Sequence, residues 1–255
     1  MPQFSNPFEL RGTVVVTGGT RGIGRAISSQ FSRAGARVIA NYLRDDKAAL
    51  ALKAVAEQEG LPIEILRADL TTPAGQQQIA ASVIAANEPF CGLVHCAATG
   101  VHKSIDSLTG RHLDWTFALN VRAFFELVKL LLPQFDRHSS VLAISSMGAT
   151  HALPHYTAVG ASKGALEALV RHLAAELAPR GIRANVLTPG AVATDVWKAI
   201  PDAEARLAEA VRRSPIGRLV TVEEVALCAQ FLCSAAASGI NGQALMVDGG
   251  TTILA

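Results

Sequence analysis

The sequence is poor in charge and in aromatic rings. Of 255 residues, 17% are charged and 5% aromatic, and the formal net charge is +2. No long run of Lys or Arg is present, which excludes a nucleic-acid footprint. Cysteine is scarce as well. Cys91, Cys96, Cys228 and Cys233 form two pairs, each spaced five apart within an apolar segment. Such cysteines read as buried thiols rather than a zinc site, and no metal is expected. Met1–Glu9 lacks the apolar run of a secretory signal. Two uncharged stretches, Ser139–Ser162 and Val225–Val247, are interrupted by Gly, Ser, Asn, Thr or Pro, so neither reads as a membrane span. A cytoplasmic location is the expectation. H-E-x-x-H and G-x-S-x-G are absent too, which removes metalloprotease and α/β-hydrolase readings.

What the chain has in abundance is apolar residues, 50% of the total. A large core can be buried, with apolar surface left for subunit contacts. Strand and helix signals alternate along the whole length. Strands are predicted at Thr13–Thr17, Arg37–Tyr42, Ile63–Arg67, Gly92–Cys96, Val141–Ser145, Arg183–Leu187 and Ala244–Val247. Helices are predicted at Gly24–Ala34, Asp45–Glu59, Ala74–Ala86, Leu113–Phe135, Tyr156–Ala178 and Val222–Leu232. No repeat or composition break divides residues 1–255. This pattern predicts one domain of the α/β class: a Rossmann-like, doubly wound parallel sheet with helices on both faces. Ligands in such sheets sit at the carboxyl ends of the strands.

The first strand is followed by Thr17-Gly18-Gly19-Thr20-Arg21-Gly22-Ile23-Gly24. Glycines between a strand and a helix permit a tight turn and close approach of a pyrophosphate to a helix N-terminus. The second strand ends Asn41-Tyr42-Leu43-Arg44, where an NAD site usually carries an acid. A neutral, then basic, strand end favours NADPH, with Arg21 and Arg44 able to clamp a 2′-phosphate. Asp45 and Asp46 read as the start of the next helix, where acids are favourable.

With these residues in view, the chain resembles the short-chain dehydrogenase/reductase family over nearly its whole length. The glycine loop matches, as does Asp69-Leu70, which by resemblance contacts adenine. Asn120 matches the family's helix asparagine, and Ser145-Ser146 its active-site serine segment. Pro189-Gly190-Ala191-Val192-Ala193-Thr194 resembles the segment that holds the nicotinamide carboxamide, and Asn241-Gly242-Gln243 and Asp248-Gly249-Gly250 also match. The resemblance implies that Lys163 bonds the ribose hydroxyls and that its charge polarises Tyr156. It further implies dimer packing through the helices Leu113–Phe135 and Tyr156–Ala178, and a homotetramer through the C-terminal strand.

Two departures stand out. The family's Asn-Asn-Ala-Gly is here His95-Cys96-Ala97-Ala98, whose small Ala97 and Ala98 still permit close cofactor approach. Tyr-x-x-x-Lys is missing, because Val159 stands four residues before Lys163. Tyr156 stands seven residues before it, and Tyr-x6-Lys is similar to the NADPH-dependent enoyl-acyl carrier protein reductases, type III. Type I enzymes carry a second tyrosine where this chain has Ser146. On a helix, seven residues share a face across roughly 10 Å of rise, about one turn more than four residues.

That displacement suits a conjugated thioester. Hydride goes to the β-carbon, while negative charge appears on the thioester oxygen, two carbons further on. A donor for that oxygen must stand further from the hydride source. The expected catalytic set is Tyr156, Lys163, Ser146 and Asn120. The proton for the α-carbon comes from Tyr156 or from water. Within 195–215, Trp197, Ile200, Pro201 and Leu207 suit an acyl chain. Arg206, Arg212 and Arg213 suit an acidic carrier protein or a CoA phosphate, although a solvated amphipathic helix explains them equally. Two other readings stay open: an NADPH-dependent carbonyl or 3-ketoacyl reductase, and a non-catalytic NADP-binding protein.

Overall fold

The computed structural model describes residues 6–194 and 203–253. Trp197, Ile200, Pro201 and the Arg206 side chain, assigned above to the substrate side, lie outside the described residues. Seven strands form one parallel sheet: β1 (Gly12–Thr17), β2 (Ala36–Tyr42), β3 (Ile63–Arg67), β4 (Phe90–His95), β5 (Phe135–Ile144), β6 (Arg183–Pro189) and β7 (Ala244–Val247). Their spatial order is β3-β2-β1-β4-β5-β6-β7. The chain winds outward from β1 in one direction and then from β4 in the other. The crevice between the carboxyl ends of β1 and β4 is therefore the switch point where such sheets bind ligands.

Alternation along the strands divides the core in two. Val15, Ile39, Leu93, Val141 and Val186 face one side. There they pack against α3 (Pro73–Ala86), α5 (Ala123–Leu131) and α6 (Thr157–Leu177). Val14, Val16, Val38, Leu142 and Leu187 face the other, against α1 (Gly22–Arg33), α2 (Asp46–Glu59) and α8 (Val222–Cys233). A period of two in the strands buries both faces, as a parallel sheet requires. Among the described residues no helix is long and apolar enough to cross a membrane. All four cysteines are free thiols, packed at the margin of the second cluster.

Local chemistry fixes the helix ends. The Asp45 carboxylate caps α2 by accepting the Ala48 N–H at 3.0 Å, and Gly60 closes it in the left-handed conformation. Thr72 caps α3 with Pro73 in the first turn.

The helix expected over Leu113–Phe135 is corrected by the structure. It divides into α4 (Gly110–Phe117), a π-helical turn over Ala118–Arg122, and α5. It stops before Pro133, and Phe135 instead opens β5, its ring 4.9 Å from that of Phe90. β5 accordingly starts six residues before the expected Val141. The amphipathic helix left open for the substrate side is present as α7 (Ala203–Arg213). Tyr156 lies just outside α6, at its N-cap, rather than on the helix face that the spacing implied.

Candidate active site

The glycine loop forms a cradle at the switch point. A Cβ on Gly18 would lie 2.9 Å from the Ala97 Cα, and one on Gly24 would run into the Gly18 carbonyl. Gly18 and Gly22 also hold positive φ, at 61° and 51°. α1 begins at Gly22 with no side chain capping its first N–H groups and no acid in its first turn. With no acid there, and only the neutral Cys96 thiol near the Gly24 N–H, the residues present fit a dinucleotide pyrophosphate. Thr20 is buried, Ile23 half-buried, and Arg21 exposed beside them.

At the far end of the cradle the expected residues divide. Arg44 is exposed and, like Arg21, makes no ion pair among the described residues. Asn41 instead ties the sheet together: its buried amide donates to the Ala68 carbonyl at 3.0 Å. Tyr42 donates to the Asp46 carboxylate at 3.0 Å, which leaves its ring beside α2. Asp69 accepts from the Thr71 N–H and hydroxyl through one oxygen, Oδ1, while Leu70 is buried.

The β4 loop is held by groups that the motif comparison alone does not reveal. The Thr17 hydroxyl oxygen accepts the N–H groups of Cys96 and Ala97, at 3.2 and 3.1 Å. Its proton is then left for His95 Nδ1, 3.0 Å away, which fixes the His95 proton on Nε2. That Nε2 is buried, and the only backbone group acting on the ring is Leu119, outside good hydrogen-bond geometry among the described residues. Burial and the Lys163 cation push the His95 pKa down to about 3, so the ring is neutral. Further along, Asn120 Oδ1 accepts the Thr99 N–H and its amide donates to the Thr99 carbonyl, both at 2.9 Å. Asn120 also donates to Ser162 Oγ at 2.9 Å. Asn120 thus fastens the β4 loop to α6 from the π-helical turn; its side chain is fully committed there.

The reactive groups meet at the start of α6. The Tyr156 hydroxyl donates to Ser146 Oγ at 3.2 Å, and Ser146 Oγ also accepts the Gly148 N–H at 3.2 Å. The His102 ring meets Tyr156 edge-on, with centroids 5.3 Å apart. Lys163 is buried and donates to the Ile144 carbonyl at 2.7 Å, which leaves two ammonium N–H groups for ribose hydroxyls. Burial pulls the Lys163 pKa down to about 8, partly offset by Cys96 and Glu167. Glu167 is itself buried and accepts from Ser145 Oγ at 2.6 Å.

Burial pushes the Tyr156 phenol above its ordinary value, and Ser146 pulls it partly back. At neutral pH the phenol is a protonated hydrogen-bond donor. Val159 fills the position where the family's tyrosine stands. It is buried, and its Cγ2 presses on Gly100 so closely that a Cβ there would overlap it.

The segment after β6 closes the cradle. A Cβ on Gly190 would lie 2.6 Å from the Asp248 Cβ, Val192 bridges to Val220, and the Thr194 methyl lies 3.7 Å from a Cβ built on Gly22. Pro189 ends β6, and Asp248 accepts from Gly250 and Thr252. The cradle, the lysine and the phenol–serine pair thus share one rim of the sheet. Cys96 faces the α1 start near Gly24, and burial pushes its thiol up to about 11. Thr17, His95, Gly148 and Glu167 were not singled out by sequence for site roles. A histidine in place of the motif asparagine was the one visible signal.

Residues 18–252 match the family described as Enoyl-(Acyl carrier protein) reductase. The chain is 33% identical to 1-cyclohexenylcarbonyl-CoA reductase of Streptomyces collinus over 258 aligned positions, covering 100% of this chain and 91% of that one. It is 32% identical to 7alpha-hydroxysteroid dehydrogenase of Escherichia coli (strain K12), covering 92% of each. A short-chain dehydrogenase from Burkholderia cenocepacia J2315, solved in complex with NADP, superposes with a TM-score of 0.88 at 29% identity, covering 97% of this chain and 100% of that one. This chain belongs to the short-chain dehydrogenase/reductase family of oxidoreductases.

Proposed function

We propose that the protein reduces the carbon–carbon double bond of a trans-2-enoyl thioester with NADPH. The observation that carries this reading is the exchange at the start of α6: Tyr156 presents the phenol, and an apolar Val159 occupies the family's usual acid position. The exposed pair Arg21 and Arg44 supports a 2′-phosphate, hence NADPH. The Streptomyces relative, named for an unsaturated cyclic acyl-CoA, supports the class of bond.

When bound, NADPH supplies a hydride. Lys163, through its two remaining N–H groups, would hold the ribose, and the α1 N-terminus would hold the pyrophosphate. Tyr156 and Ser146 hold the thioester oxygen. Hydride addition at the β-carbon moves the double-bond electrons to the α-carbon and this oxygen, as an enolate. A neutral phenol stabilises that oxygen by donating a hydrogen bond as charge develops. Collapse of the enolate forms the α-carbon–hydrogen bond with a proton from Tyr156 or water. The apolar Val159 leaves no acid beside the hydride-accepting carbon.

The described part of the segment assigned to the substrate side is α7. Of the cations there, Arg212 is held by Glu209 at 2.6 and 2.7 Å, which leaves exposed Arg213 the better group for a CoA phosphate or an acyl carrier protein. Exposed Leu113, Trp115 and Phe125 on α4 and α5 suit a homodimer face, and the edge strand β7 suits a homotetramer. A place in fatty acid or related acyl synthesis in the cytoplasm follows from the substrate class.

One observation favours carbonyl reduction instead. Tyr156 reaches Ser146, and a phenol–hydroxyl pair also suits a ketone oxygen; the hydroxysteroid dehydrogenase relative fits that reading. A crotonyl thioester and an acetoacetyl thioester, each mixed with NADPH and followed by absorbance loss, separate the two. Turnover of the ketone alone would overturn the enoyl reading. Tight NADPH binding with neither reaction would favour a non-catalytic role. Tyr156→Phe is expected to remove most activity and Val159→Ala little of it.

A further inference from the structure

Gly148 and Gly160 are glycines without a backbone reason. Neither has positive φ. Gly160 lies inside α6, where glycine weakens a helix. Space accounts for both. A Cβ on Gly148 would lie 2.5 Å from Cδ1 and Cε1 of Tyr156. A Cβ on Gly160 would lie 2.7 Å from the Gly148 carbonyl oxygen and 3.5 Å from the Tyr156 Cδ1. The loop after β5 therefore rests directly on α6, and the Tyr156 ring lies edge-on against the bare Gly148 Cα. The same residue donates its N–H to Ser146 Oγ, the oxygen that receives the Tyr156 hydroxyl.

We propose that Gly148 is a positioning residue for Tyr156 and Ser146: its missing side chain admits the phenol ring at position 156, and its amide turns the Ser146 hydroxyl toward that phenol. The donor pair is thereby set by a residue that need not touch substrate. Gly160 is the second half of the seat, since a side chain there would lift Gly148 off the helix. A family tyrosine placed at 159 would not need this seat, because that position faces Gly100 instead. The inference rests on Tyr156 being the reacting phenol.

The test is a double-mutant cycle on the full-length protein, run with whichever thioester the enzyme turns over. Gly148→Ala is expected to lower kcat by on the order of tenfold to a hundredfold, the range for a displaced transition-state donor, with the NADPH Kd unchanged. In the Tyr156→Phe background the same substitution should change kcat less than about twofold, since residues acting as one unit are not additive. Gly164→Ala is the control: its Cβ would lie an ordinary 3.4 Å from the Ala149 carbonyl oxygen, and activity should be unchanged.

Should Gly148→Ala fold poorly, the Tyr156→Ala background removes the ring and should restore the melting temperature to that of Tyr156→Ala alone. A Gly148→Ala enzyme with wild-type kcat, an equal loss in the Tyr156→Phe background, or no rescue by Tyr156→Ala would each overturn the proposal. Failure of the enoyl reading leaves these outcomes intact. A fully active Tyr156→Phe enzyme would remove the assigned role of the phenol, and the melting-temperature comparison would still report on the seat.

Discussion

Lys163 carries a charge in a place that resists it, and that has a measurable consequence. Its pKa falls from 10.5 to about 8 on burial. The difference is 2.5 units, and at 1.36 kcal/mol per unit it corresponds to about 3 kcal/mol. The sign follows from which state binds the proton more tightly. Between pH 8 and 10.5 the unfolded chain holds a proton on this lysine that the folded chain has released, so this group's contribution to stability rises with pH across that window. Below pH 8 both states are charged and the folded state carries the full penalty. Cys91, Cys96 and Cys233 work in the opposite sense, because burial raises their pKa to about 12, 11 and 11, so they lose stability as the unfolded thiols ionise. Comparison with Lys163→Met cancels Cys91 and Cys233, and adding Cys96→Ala to both proteins removes the one thiol coupled to the lysine. Urea unfolding of both proteins from pH 7 to 10.5 should show wild type gaining on the variant by up to about 3 kcal/mol. A difference that stays flat with pH refutes the buried-cation reading. NADPH offers acceptors to the same ammonium, so binding at pH 9 should take up a fraction of a proton. Calorimetry in buffers of different ionisation enthalpy reads that directly.

Two further substitutions test the cradle and the loop. Arg44→Ser should weaken NADPH binding with little effect on NADH, because the lost contact is to the 2′-phosphate; fluorescence titration with each nucleotide checks this, and equal losses would contradict it. Asn120→Ala should destabilise the protein by about 1–3 kcal/mol and raise KM for NADPH, because it strands the Thr99 N–H and carbonyl and frees the β4 loop. Denaturant unfolding and steady-state kinetics measure the two effects.

The seven strands and the burial of both sheet faces were legible because apolar runs alternate with capped helices. Asp45 before α2 and Thr72-Pro73 before α3 announce their ends through local hydrogen bonds, which sequence carries. The break between α4 and α5 was not legible. The π-helical turn there carries Asn120, whose side chain serves a loop residue 21 positions away, and helix propensity contains no such contact. The structural bond of Asn41 was hidden for a similar reason: its amide is held by a carbonyl 27 residues on. Tyr156 was identified by count, but its packing against Gly148 and its bond to Ser146 were not visible. Residue spacing gives axial distance on a helix and says nothing of a side chain that stands at the cap.

The departure at His95 has the same tertiary origin, and it links the cradle to the lysine. Thr17 ends β1, and its hydroxyl is saturated by two amides of the β4 loop and by His95 Nδ1. A charged imidazole would need a proton on Nδ1 and would break that arrangement, while standing in the field of Lys163. Burial and the lysine outweigh the Leu119 backbone contact that acts in the opposite sense, so the ring is neutral at neutral pH. An asparagine at this position would also lack charge, but its amide would have to supply the acceptor for Thr17 from a shorter side chain. The histidine replaces the motif residue by preserving the property the site depends on, an uncharged acceptor beneath a buried cation.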